Sequence, residues 1–399
     1  MENTIKSSRI LVVTPRWGGV AGGAERHLGA FARKLSSQQG VSVEIATTCS
    51  LDNLTWSNEL DEGSSFEEGI RIHRFKAVCP PWLIGEIHRR LAGGIQTRRV
   101  IDALGWRLFP MRSPALGRFI TNYRASYDAI LAGPYFYGTT WDTILAAPDR
   151  TIVLPCVHDE PEASLKRTGC LLTSARKRIF NSVMERDLVE RLHGRAAASG
   201  PVMGIGIDQP SEITPEAEVR ERYDLRGDFL IYLGRTQGGK GLQKVMNAVM
   251  DHNARNPGEC VTLIIAGDRV IVPPESPWIR CVGYVEEGIK NGLLSCALAN
   301  ISFSRMESLS LVLLEAWSLG TPSIVDAESA VLNWQIERSG GGISVRSAAG
   351  FSEALRRMRD PSARQRMGEA GRSLVQSEYS WKTMLDGLVK EIKEISCAE

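Results

Sequence analysis

The same local order occurs twice in this chain. "RILVVT" (9–14) is a β-branched run that leads into the glycine-rich "PRWGGVAGGAE", then the helical pattern "RHLGAFARKLSS" and the strand-like "VSVEIAT" (41–47). From residue 229, "FLIYLG" leads into "RTQGGKG", then "LQKVMNAVMDH" and "VTLIIAG" (261–267). Strand, glycine loop, helix and strand in that order open a parallel α/β sheet. "DAILAG" (128–133) and "TIVLPCV" (151–157) extend the first series, and "WIRCVGYV", "ANISFS" and "TPSIVDA" the second. Two successive doubly wound domains are the economical reading, with a boundary near "SGPVMGIGIDQP" (199–210), rich in glycine and proline. Ligands of such sheets bind beyond the carboxyl ends of the strands. Two sheets facing each other would therefore share a central cleft.

Bulk properties narrow the function classes. A length of 399 residues suits two or three domains. The formal net charge of +2 argues against a dedicated nucleic-acid binder. The start, "MENTIKSSRILVV", lacks the pattern of a secretory signal. No stretch approaches the roughly 18 apolar residues that a spanning helix needs. Eight cysteines are scattered without a CxxC pair, as in reduced thiols of a cytoplasmic protein.

The loop "GRTQGGKG" (234–241) satisfies G-x-x-x-x-G-K through Gly234, Gly239 and Lys240, and it lies between a strand and a helix. Gly241 stands where a P-loop needs Ser or Thr to hold magnesium. What remains is Arg235, a planar fork, and Lys240, a mobile point charge, at a helix start whose amides favour anions. The loop is expected to bind phosphate without a metal of its own; a surface turn with two solvated cations is the alternative.

"RMESLSLVLLEAWSLGTPSIV" (305–325) holds Glu315 inside a helix that is apolar on nearly every side, with Glu307 just ahead. Ser308 is a plausible N-cap, and Gly320 with Pro322 stops the helix. A helix this apolar should be buried, where a lone carboxylate is costly without hydrogen-bond partners. Glu315 is therefore expected to face the same cleft mouth as Glu307. Beside a phosphate loop, two carboxylates suit ribose and hexose hydroxyls; a glutamate escaping at an exposed helix edge is the alternative. The "HDE" triplet at 158–160 follows a strand and fits either a metal-ligand cluster or a polar loop end.

The spacing Glu307-x7-Glu315 resembles the E-x7-E element of retaining glycosyltransferases of family 4. "GRTQGGKG" is similar to that family's G-R-x4-K-G, "PRWGGVAGGAERHL" to its N-terminal glycine loop, and "GID" (206–208) to the end of its inter-domain segment. "CVGYV" and "SLGTPSIV" fall in the usual order, so the resemblance spans nearly the whole chain. It implies the GT-B fold: α/β, two Rossmann-like domains facing a central cleft. Residues 1–199 would bind the acceptor and 200–375 the nucleotide-sugar donor, with a C-terminal helix, about 376–399, packing back on the first domain.

The resemblance also implies roles. Arg235 and Lys240 would bind the donor diphosphate, with Gly22 and Gly23 close to it from the other domain. Glu315 would bind the ribose hydroxyls, Glu307 and the backbone at Ser310 and Leu311 the transferred sugar, and His158 would close on the sugar at the acceptor side. His158, Glu307, Arg235 and Lys240 are thus the expected catalytic set. No cofactor beyond the nucleotide-sugar co-substrate and no metal is expected, and no D-x-D pair occurs in the chain. One departure stands out: "ESLSL" replaces the family's E-[SG]-F-G-[LI], with Leu309 for Phe and Ser310 for Gly. Glycine lets backbone approach a ligand closely and serine constrains it, which leaves the donor sugar open.

The reaction expected is transfer of a hexose from a GDP- or UDP-sugar to a hydroxyl of a glycan or lipid-linked acceptor, in surface polysaccharide or glycolipid synthesis. Two rivals are a non-catalytic nucleotide-sugar-binding subunit of the same fold and an NAD-dependent oxidoreductase. Against the latter, "WGGVAGGAE" does not give G-x-G-x-x-G. Residues 86–124 hold eight arginines against one glutamate and one aspartate. With Trp82, Leu83, Ile84, Trp106, Leu108 and Phe109 interleaved or adjacent, they suit an anionic membrane surface. An ordinary solvated face is the alternative. The expected location is cytoplasmic, with peripheral association at the inner face of the plasma membrane.

Overall fold

The computed structural model describes residues 8–18, 22–52, 56–78, 111–235, 240–267 and 276–396. The chain forms two compact units, one of Met1–Ile205 with Lys382–Glu399 and the other of Gly206–Trp381.

In the first unit the strands are β1 (Ser8–Val13), β2 (Val41–Thr48), β3 (Gly63–Glu67), β4 (Ile70–Phe75), β5 (Ala129–Ala132), β6 (Thr151–Val153) and β7 (Lys177–Arg178). They lie in the order β3-β4-β2-β1-β5-β6-β7. All neighbours pair parallel except β3 and β4. Those two form a hairpin whose turn residues, Glu68 and Gly69, both have positive φ, 52° and 77°, as a two-residue turn matched to strand twist requires. Central strands are buried on both faces: Ile10, Leu11, Val12 and Val13 are at most 1% exposed, as expected where helices cover a parallel sheet on both sides. Glu44 ties the hairpin edge to the sheet, accepting from Arg9 Nη2 at 2.7 Å and Tyr127 Oη at 2.9 Å, with His73 Nε2 at 2.8 Å.

The helix Trp381–Ser396 supplies this unit with the buried Leu388, Ile392 and Ile395. Lys177 of β7 holds it through Glu391 at 2.6 Å and Glu394 at 2.5 Å.

The second unit has β8 (Phe229–Leu233), β9 (Thr262–Ala266), β10 (Ile279–Gly283), β11 (Ala299–Ser302), β12 (Ser323–Asp326) and β13 (Gly342–Val345). Its order is β10-β9-β8-β11-β12-β13, all parallel. That is the doubly wound order 3-2-1-4-5-6, whose direction of winding reverses between the first and fourth strands. Leu230, Leu263, Ile301 and Ile324 form the middle of one core layer. Trp317 is fully buried, and its indole N–H donates to Gly341 O at 2.8 Å.

Candidate active site

Winding reverses between β8 and β11, so the loops that follow these two strands open side by side at their carboxyl ends. The first carries Arg235 and Lys240, the second Glu307. Lys240 Nζ donates to Glu307 Oε1 at 2.8 Å and to Met306 O at 2.9 Å. Two features shape the basic loop. The Tyr232 hydroxyl lies 3.1 Å from Arg235 O and 3.3 Å from Lys240 O, spanning both ends of the loop. Burial, and then the negative charge of Glu307, push this phenol far above its ordinary range. Gly241 caps the helix Leu242–Arg255 with φ +71°, and a Cβ there would stand 2.1 Å from Phe303 O. The hydroxyl residue of a P-loop is thus excluded by backbone geometry. Arg235 has an exposed side chain, and Gly239 lies outside the described residues. One turn further on, Lys244 is already neutralised by Asp326 at 2.7 Å.

The apolar helix spans Leu311–Ser318, and its N-cap is Ser310, not Ser308 as the sequence suggests. Ser308 and Leu309 are buried in the preceding loop, which postpones the helix start. The Ser310 side chain makes no cap hydrogen bond. Its N–H donates to Gln335 Oε1 at 2.9 Å, and Gln335 Nε2 returns a bond to Ser310 O at 3.3 Å. Leu311, partly buried, opens the helix. Glu315, also partly buried, meets Lys290 Nζ at 3.4 Å. The two glutamates therefore engage different lysines, a distinction that their spacing does not reveal.

In the first unit, Gly22 is the N-cap and Gly23 the first residue of the helix Gly23–Ser36. Sequence reasoning missed the residues that build this turn. Glu25 Oε2 accepts the Gly22 N–H at 2.5 Å, and Arg16 grips the same carboxylate through Nε at 2.6 Å and Nη2 at 2.7 Å. Both side chains are at most 4% exposed. A Cβ on Gly22 would come within 2.7 Å of Glu25 Oε2, so the glycine is required by close approach. The Gly22 amide is already spent on a carboxylate, while around Gly23 an added Cβ would meet nothing within 4 Å. The available signal was the Glu three residues after the capping glycine.

His158 follows β6 in a loop and is partly exposed. Its Nδ1 lies 3.9 Å from Glu160 Oε1, an oxygen that also accepts from the Tyr135 hydroxyl at 2.6 Å. Among the described residues no group of three or more His, Cys, Asp or Glu side chains gathers as a metal site. The basic segment 86–124 falls largely outside the described residues, since 79–110 are not among them. Among the described residues no helix is long and apolar enough to cross a membrane.

Residues 227–360 match the family model for group 1 glycosyl transferases. Over 192 residues the chain is 28% identical to α-D-kanosaminyltransferase of Streptomyces kanamyceticus. That match covers 45% of this chain and about half, 49%, of the relative. Sucrose-phosphate synthase of Thermosynechococcus elongatus superposes with a TM-score of 0.74 at 17% identity, covering 98% of this chain and all of that one. Anabaena HepE, solved in complex with UDP and glucose, gives 0.69 at 14% identity over 97% of this chain and 100% of its own. The α,α-trehalose 6-phosphate synthase of Burkholderia multivorans gives 0.67 at 10% identity, covering 99% and 98%. At such identities the likeness is one of fold. The chain thus has the two-domain GT-B fold, and the residues that build the Lys240–Glu307 pair lie within its match to the group 1 glycosyl transferases.

Proposed function

We propose that the protein is a retaining glycosyltransferase that moves a hexose from a nucleotide diphosphate sugar to an acceptor hydroxyl. The observation that carries this reading is Lys240 beside Glu307 at the point where the second sheet reverses, next to a helix N-terminus. A cation and a helix start attract the diphosphate, and a carboxylate at 2.8 Å from that cation is placed to take a sugar hydroxyl. HepE holds UDP and glucose on the same fold, which supports a nucleotide-sugar donor here.

In this reading the diphosphate displaces Glu307 from Lys240, and Glu307 turns to the transferred sugar. Arg235 and Lys240 stabilise the charge that develops on the leaving diphosphate. The C1–O bond to the diphosphate breaks, a bond from C1 to the acceptor oxygen forms, and the acceptor proton passes to the leaving phosphate. Glu315 holds the ribose, which requires it to share or leave Lys290. Ser310 reaches the sugar through its backbone only if Gln335 yields its N–H. His158 closes on the sugar from the first unit. An acceptor linked to lipid, met through the basic segment 86–124 at an anionic surface, belongs to the same proposal.

A thermal-shift panel of GDP-, UDP- and ADP-sugars, followed by NMR of the product's anomeric configuration, tests this reading. Stabilisation by one sugar nucleotide and transfer with retained configuration are expected. Absence of any shift, or an inverted product, would overturn it.

A further inference from the structure

Beneath the His158 loop lies a carboxylate that the reading above does not use. Glu185 is the third residue of the helix Val183–His193 and is 1% exposed. Ser182 caps that helix by accepting the Glu185 N–H at 3.1 Å. The side chain of Glu185 faces the chain leaving β6. Its Oε1 accepts the Val157 N–H at 2.7 Å, and its Oε2 accepts the Asn181 N–H at 2.7 Å. Asn181 in turn donates through Nδ2 to Cys156 Sγ at 3.3 Å. Cys156 has φ +53°, a conformation unusual for a residue with a side chain. Two residues are thus pinned immediately before His158, one of them in a strained backbone state that its surroundings must hold.

We propose that Glu185 is a positioning residue for His158: its carboxyl group accepts the Val157 N–H and so fixes where the histidine leaves the loop. The inference rests on the proposed role of His158. The chemistry favours a carboxyl group over an amide, because both of its oxygens can accept. Each oxygen receives an N–H, and the positive end of the helix adds to both bonds. A glutamine would turn an NH2 group toward one of those donors and leave it unmet in a dry site. Burial, and then Glu185, push the nearby Cys156 thiol well above its ordinary range. Burial pushes the Glu185 carboxyl up to about 8, against the downward pull of the Asn181, Val157 and Cys156 amides. Ionisation therefore opposes the closed loop, and the grip is fullest below pH 4.5 and weakens as pH rises through about 8.

Two measurements on the full chain test this. Amide hydrogen exchange, corrected for its intrinsic pH dependence, should show protection at Val157 and Asn181 in the wild type that weakens as pH rises toward about 8. In Glu185→Gln both amides should exchange at least tenfold faster at about pH 6, where the wild-type grip is fuller, with the second unit unchanged. The donor-sugar kcat of that variant should fall at least tenfold with KM within about twofold. The alkaline limb of its kcat profile near pH 8 should flatten. Wild-type protection at Val157 in Glu185→Gln overturns the proposal, and so does faster exchange with an unchanged kcat profile. Protection in the wild type that ignores pH overturns the role of the Glu185 carboxyl group without recourse to a variant. A fully active His158→Ala overturns the functional reading, and the inference with it. That failure is distinguishable because the exchange at Val157 is read without substrate.

Discussion

Lys240 and Glu307 stand 67 residues apart in the chain, yet their charged atoms are 2.8 Å apart because each follows a strand that flanks the reversal point of the second sheet. The pair is partly exposed, so its contribution to stability is at most about 1 kcal/mol. Lys240→Ala should leave the melting temperature within a few degrees of wild type. It should lower kcat/KM for the donor at least tenfold, about 1.4 kcal/mol of transition-state stabilisation. Steady-state kinetics with the sugar nucleotide found in the thermal-shift panel give the answer, and wild-type kcat/KM in a folded mutant would remove Lys240 from the site.

Fixed cations beside the diphosphate replace a bound ion in the proposed reaction. Turnover should accordingly persist in excess EDTA. Complete loss that magnesium restores would show a metal requirement instead.

Gly241→Ser recreates the P-loop hydroxyl position but should not recreate its chemistry. The residue has φ +71°, and the new Cβ would approach Phe303 O to 2.1 Å. A destabilisation of about 2 kcal/mol or more is expected, with donor binding lost and no magnesium dependence gained. Denaturant unfolding and a binding assay read both effects.

Glu25→Ala strands the Arg16 guanidinium in a site where both side chains are at most 4% exposed. Removing one partner of a buried pair costs about 3–5 kcal/mol. Replacing both, Arg16→Met with Glu25→Leu, should recover most of that loss of stability while leaving the Gly22 turn without its acceptor. Equal destabilisation in the single and double variants would contradict this account.

Two buried groups give the stability of the first unit opposite pH responses. Burial lowers the His27 pKa from 6.5 to about 4, against a hydrogen bond with the Gly204 backbone. Its unfolded form binds the proton more readily, so stability present above pH 6.5 is lost as pH falls toward 4, by up to about 3 kcal/mol. Glu185 moves the other way, from 4.5 to about 8. Its contribution is full below pH 4.5 and is lost as pH rises through 8. Melting curves should show His27→Phe with a shallower acid slope than wild type. Glu185→Gln should gain on wild type between pH 5 and 9.

The two-domain plan was legible because β1, β8 and β9 are β-branched or leucine-rich runs, with glycine loops following β1 and β8. Strand order was not legible, since nothing local tells β8 to sit beside β11. The β3–β4 hairpin escaped notice because "GSSFE" lies at an edge, largely exposed, and so carries no hydrophobic run. Its one local cue was the Glu68–Gly69 turn. Glu185 offered a similar cue, an S-x-x-E capping pattern with Ser182, but its burial depends on residues 156–157 arriving from another strand. The partner of Glu315 was invisible for the same reason: Lys290 belongs to a different helix. Charges can be read from a sequence, whereas the pairing of charges is decided by packing at long range.

The first unit is not continuous in sequence, and its last helix, Trp381–Ser396, arrives only after the whole of Gly206–Trp381 has been made. At roughly 5–20 residues per second of synthesis, the surface that buries Leu388, Ile392 and Ile395 waits on the order of ten seconds or more. During that interval Lys177 has neither Glu391 nor Glu394 beside it. The order of birth is therefore the reverse of the order of completion: the unit begun first on the ribosome is the one finished last.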